Sequence, residues 1–170
     1  MTLLLKVWMV LFLTSFASAE LVDSKTVHLF QISRSKDFNT IQYELNLDEN
    51  GSINQDEPLK IYWLKRSKKI YSDPLTWIQN KYAYGVKITE KSPESISFHF
   101  VSYPSKILNV IRLSDGKFKV ITASQGCEML LEKIFIQIDG GSFWIPTITS
   151  VELSGVDSST GDPKKETIKP

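Results

Sequence analysis

Apolar residues recur at every second position through most of the chain, the spacing of a half-buried strand. Between Thr40 and Leu47, Ile41, Tyr43, Leu45 and Leu47 share one face, and Gln42, Glu44 and Asn46 share the other. Ser95–Ser102 sets Ile96, Phe98 and Phe100 opposite Ser97 and His99, and Lys117–Thr122 sets Phe118 and Val120 against Lys117 and Lys119. Further strands are predicted over Val27–Ser33, Leu59–Leu64, Val86–Thr89, Ile107–Leu113, Lys133–Ile138 and Thr147–Leu153. Turn residues separate them: Glu49-Asn50-Gly51-Ser52, Lys91-Ser92-Pro93, Tyr103-Pro104, Ser114-Asp115-Gly116 and Asp139-Gly140-Gly141. Asp115-Gly116, between two alternating runs, predicts a hairpin.

One helix interrupts the alternation. Asp73 is its expected cap, Pro74 suits its first turn, Leu75, Ile78 and Tyr82 form an apolar stripe, and Gly85 ends it. So short a helix has to pack on the sheet to persist. The predicted fold is a single all-β domain, an antiparallel barrel-like sheet or a two-sheet sandwich with one short packed helix. By composition Gly155–Lys169 is polar enough for a loose tail.

The chain has 170 residues, 42% of them hydrophobic and 11% aromatic, enough for one solid core and too few for two ordinary domains. Residues 1–19 read as a signal peptide: Lys6, the apolar run Val7–Leu13, then small residues ending in Ala17-x-Ala19. Cleavage there leaves Glu20–Pro170 as the mature domain, secreted or periplasmic, with no stable membrane span. The 20 bases lose Lys6 and come level with the 19 acids. A neutral chain has no bulk attraction for nucleic acid or membranes. The single cysteine, Cys127, has no partner within the chain and sits beside Met129-Leu130-Leu131, so burial as a small apolar side chain is expected.

Several motifs hint at chemistry, and each has a plainer explanation. Asn46, Asp48, Asn50, Gly51 and Glu57 match much of a calcium loop, with oxygens at alternate positions and a glycine at the sharp turn. The first ligand is Asn rather than Asp, Pro58 follows Glu57 directly, and strands flank the loop where helices belong, so a polar hairpin loop is expected and no metal. Asn50-Gly51-Ser52 is also a glycosylation sequon in a eukaryotic host. Ser33-x-x-Lys36 ends a strand and lacks the partner motifs of serine acyl-enzymes. His28 and His99 have no metal-ligand spacing. The basic run Lys65-Arg66-Ser67-Lys68-Lys69 reads as a solvated loop between strand and helix. No catalytic residue and no cofactor emerges.

A set of motifs runs through the chain in order: His28-Leu29-Phe30-x-Ile32-x-Arg34-Ser35-Lys36, Asn50-Gly51, Pro58-x-x-x-Tyr62-Trp63 and Lys81-Tyr82-Ala83-Tyr84-Gly85. Lys133-Ile134-Phe135-Ile136, Pro146-Thr147, Val151-Glu152-Leu153-x-Gly155, Thr160-Gly161 and Glu166-x-Ile168-x-Pro170 follow. With these the chain resembles an uncharacterised bacterial secreted family, the domain of unknown function 4833. The resemblance implies that Gly155–Pro170 is ordered against the domain and that Asn50-Gly51 is a hairpin with little need of ligands at Asn46 or Asp48. It supplies no activity. Arg34, Tyr62 and Tyr84 are polar-tipped residues inside its motifs and, with Trp63, form the candidate ligand-binding set.

The expected function is that of an exported non-enzymatic module binding a small, partly apolar ligand or a cell-envelope component. Its rivals are a module for protein–protein contact in the envelope and a hydrolase with dispersed catalytic residues.

Overall fold

The computed structural model describes residues 25–141 and 146–169. Residues 1–19, read above as a signal peptide, and Trp144 lie outside them. Two antiparallel meanders make up the fold. The first is β1 (Thr26–Arg34), β2 (Asp37–Asn46), β3 (Leu59–Arg66) and β4 (Ile70–Pro74). The second is β5 (Val86–Lys91), β6 (Ser95–Phe100), β7 (Tyr103–Arg112), β8 (Phe118–Ser124), β9 (Cys127–Gly141), β10 (Pro146–Asp157) and β11 (Pro163–Ile168). The helix α1 (Trp77–Tyr82) links them in sequence.

In space the long strand β9 links them. β10 runs along one side of β9. The other side is shared: Cys127–Leu131 pair with β8, and Lys133–Ile136 pair with β1 in the sheet's parallel ladder. Ser35 seals the join, its hydroxyl donating to Ile138 O (3.1 Å) and accepting from Ile138 N (2.9 Å). Two wings therefore open from one strand, and the sheet curls into a half-barrel, all-β and mostly antiparallel.

The inward faces of the wings meet. Phe30 stacks on Tyr43 at 4.4 Å between ring centroids, and both meet Phe100 of the opposite wing edge-on, at 6.2 and 5.7 Å. Ile41, Leu45, Ile96, Phe98, Leu108, Val110, Val120, Met129 and Leu131 complete the core, each almost wholly buried. Side chains thus fill the space between the wings, and Ile41, Tyr43, Leu45, Ile96, Phe98, Phe100 and Val120 lie on the face that the alternation grouped them on.

Five local expectations are corrected. The helix starts later than Asp73-Pro74, because Asp73 is held in the ladder opposite Trp63 and ion-paired with Lys65. Thr76 caps it instead, in a capping box with Gln79. No residue of α1 is buried, so the predicted stripe does not pack: Ile78 and Tyr82 are exposed and only Leu75, ahead of the helix, touches the core. Lys65–Lys69 is the tip of the β3–β4 hairpin, not a link to the helix. Tyr103-Pro104 opens β7 rather than turning. The polar end of the chain is ordered, as the resemblance implied and composition did not: β11 pairs with β10 from Val151↔Ile168 to Val156↔Pro163.

Candidate functional site

The two ends of the half-barrel differ. At the end where β1 begins, two tight turns wall a cleft. In the first, Leu47 and Ile53 bridge and are buried, and Asp48 Oδ1 accepts from Asn50 N and Ser52 N, both at 2.9 Å. Gly51 takes a positive φ of 75°, which a side chain would resist. This is the calcium-like loop. Its Asp48 carboxylate serves as the turn's cap, and buried Asn46 spends its amide on Glu57 O at 2.8 Å. The second turn is the predicted hairpin at Asp115-Gly116, closed by Leu113 N to Lys117 O at 2.8 Å.

Arg112 ties the two turns together. Its guanidinium donates to Gly51 O, pairs through Nε with Glu94 Oε2 at 2.7 Å, and lies 4.6 Å over the Phe118 ring. The cleft between them has a volume of about 480 Å³. Val27, Leu47 and Phe118 give it apolar surface; Lys25, Arg112, Lys117 and Lys119 give it positive charge. Glu94 balances Arg112 and Asp115 balances Lys117 at 3.0 Å, whereas Lys25 and Lys119 pair with no acid among the described residues. His28 also lines it; desolvation holds its imidazole below the ordinary pKa, Glu44 pulls the other way, and Lys119 adds to the depression.

At the opposite end, three of the four sequence-nominated residues come together. The Arg34 guanidinium sits 4.7 Å over the Trp63 ring, donates from Nη1 to Tyr84 Oη at 3.3 Å, and pairs with Asp37. Trp63 meets Tyr84 edge-on at 5.7 Å and donates from Nε1 to Gln79 Oε1 at 3.1 Å. Tyr43 Oη donates to Tyr84 O at 2.6 Å. These contacts tie the α1–β5 connection onto the first wing. Tyr62 is on the other face of β3, where its hydroxyl donates to Glu44 Oε1 at 2.7 Å and Lys60 lies 5.4 Å from its ring. Burial and that bond raise its pKa to about 12.

Cys127 has a more polar setting than expected. It is half-buried; Lys164 Nζ contacts its sulfur, Asp157 lies 3.7 Å from the same amine, and the thiol donates to Ser124 O at 3.4 Å. Among the described residues no group of three or more His, Cys, Asp or Glu side chains is arranged to hold a metal, and no helix is long and apolar enough to cross a membrane.

The family model for the domain of unknown function DUF4833 matches residues 30–167, which takes in both meanders and nearly every element above. The chain belongs to that family. No curated protein and no solved structure matches it. The matched span includes the Arg34, Trp63 and Tyr84 cluster and most of the cleft wall, but not Lys25, Val27 or His28. Sequence reasoning missed the cleft because its lining is drawn from the start of β1, the Gly51 turn and the β7–β8 hairpin, segments far apart in the chain. The one sequence signal was the crowding of Arg112, Lys117 and Lys119 around a predicted hairpin.

Proposed function

We propose that this DUF4833 protein is an exported, non-enzymatic module that binds a small, partly apolar anion in the cleft at the start of β1. One observation carries the reading: apolar surface from Val27, Leu47 and Phe118 lies within a rim whose Lys25 and Lys119 have no acid partner among the described residues. A carboxylate or phosphate carrying an alkyl or aryl group satisfies both halves of such a cleft, burying its carbon while its charge meets ammonium groups. Filling of the space between the wings supports the end cleft, rather than a hollow barrel, as the place for a ligand.

The test is a calorimetric titration of the purified protein with short alkyl and aryl carboxylates and phosphates, run beside nuclear magnetic resonance of His28. Binding should raise the His28 pKa, because a nearby negative charge favours the imidazolium. Lys119→Gln should weaken affinity about tenfold, roughly the loss of one partly desolvated charge-assisted contact. Absence of binding across the panel, or binding that moves neither His28 nor the Lys119 variant, would sink the reading. The rival, protein–protein contact, draws on a specific feature of its own: Trp77 and Tyr82 of α1 are 68% and 61% exposed. A protein that ignores every anion yet loses a binding partner on Trp77→Ala would be of that kind.

A further inference from the structure

The end of the molecule opposite the cleft has a different surface. There β1 turns into β2 and β3 turns into β4, and register brings the two turns side by side. Thr40 pairs with Leu64, and Leu64 with Ser72. The β2–β3 ladder ends there; continued two residues toward the tip, its register places Phe38 beside Arg66, and Arg66 pairs with Ile70. Arg66 N donating to Asn39 Oδ1 at 2.8 Å fixes that alignment. Cross-strand partners project to the same side of a sheet, so Phe38, Arg66 and Ile70 form one row at the tip.

The row is unlike ordinary protein surface. Phe38 is 91% exposed and Ile70 67%, each at the rim of a different hairpin, so neither is covered by its own turn. Around them stand Lys36, Arg66, Lys68 and Lys69, all exposed and none ion-paired with another described residue. The acids nearby are already committed: Asp37 to Arg34 and Asp73 to Lys65. A chain that is nearly neutral as a whole has therefore gathered four uncompensated cations about two protruding apolar side chains.

We propose that this end docks on an anionic lipid surface, Phe38 and Ile70 entering the headgroup–acyl boundary while the four cations meet the phosphates. Charge complementarity selects the occupant. An apolar protein groove would take Phe38 and Ile70 but leave the cations opposed to nothing, and a nucleic acid would take the cations but offer no apolar layer for an aliphatic Ile70. An anionic bilayer offers both layers in the right order of depth. The contact is peripheral, made by turns lying on the membrane, and does not depend on the occupancy of the cleft at the other end.

Vesicle flotation tests it, with the purified protein mixed with vesicles of equal parts phosphatidylglycerol and phosphatidylcholine, and with phosphatidylcholine alone. The protein should float with the anionic vesicles, stay behind with the neutral ones, and be released by added salt. Each cation near such a surface strengthens binding about fivefold, so Lys68→Gln with Lys69→Gln should weaken partition about thirtyfold. Phe38→Ser should weaken it about tenfold, for loss of one buried aromatic side chain. All three positions are exposed, so both variants should keep the parent's melting temperature. No flotation with anionic vesicles, equal flotation with neutral ones, or variants that partition like the parent would overturn the proposal. So would salt-sensitive capture of RNA by a protein that ignores vesicles.

Discussion

Tyr43 and Tyr62 show how one residue type is used in two ways. Tyr43 is completely buried between the wings, and burial, with Tyr84 close by, pushes its phenol well above the ordinary value. Tyr62 lies on the outer face, and burial with its Glu44 bond takes it to about 12. Both phenols stay protonated in the fold after those of an unfolded chain have begun to ionise, near 10. Their contribution to stability is therefore complete below the unfolded value and lost as pH rises through the folded ones. An alkaline titration followed by tyrosinate absorbance should show two phenols silent until the protein unfolds, with stability falling as pH climbs from 10 toward 12. All six tyrosines ionising near 10 while the protein stays folded would contradict this. The contrast also marks what single residues reveal in sequence. Alternation places Tyr43 inside, with Ile41 and Leu45, whereas the sequence motif groups Tyr62 with Trp63 and the structure sets the two on opposite faces of β3. Nothing in the alternation says that Tyr84, after a helix, turns back onto Trp63, because that contact depends on where α1 crosses.

At the scale of elements, legibility followed contrast between faces. β2, β6 and β8 stood out because each buries one face and wets the other. β4 and β11 did not: Ile70–Pro74 and Pro163–Ile168 contain no fully buried residue, so no strong apolar period marks them. They are outer strands, held by ladder bonds and ion pairs such as Lys106–Glu166 and Lys165–Glu152. Gly155 shows how much such an outer region depends on one position. At the register shift between Ser154 and Gly155, its α-carbon comes so close to β9 that an added Cβ would lie 1.9 Å from Leu130 O. The obstacle is backbone, which cannot swing aside. Gly155→Ala should cost about 3 kcal/mol in a denaturant melt, toward the upper end for overpacking. A variant as stable as the parent would mean that β10 is free to shift at its bulge.

The whole molecule is two local meanders joined by one distant seam. Gln31 pairs with Lys133 and Arg34 with Ile136, so β1 and β9 meet only after most of the chain has been ordered. Local contacts alone would favour fast folding, but closing this seam should place the refolding time on the order of milliseconds to seconds in stopped-flow fluorescence. A microsecond phase carrying the full amplitude would show that the seam is not limiting. The two ends of the half-barrel present positive charge for different reasons, one around a cleft and one around protruding side chains, and neither concentration was visible in a net charge near zero. The seam has one more consequence, for the order of synthesis. By the time Pro74 has been made, the first wing has all four of its strands, yet one side of β1 has nothing to bond until Ile136 follows. Through that interval the nascent chain carries an open strand edge next to Leu29, Phe30 and Ile32, so a holding chaperone would find its natural target in the unfinished N-terminal half.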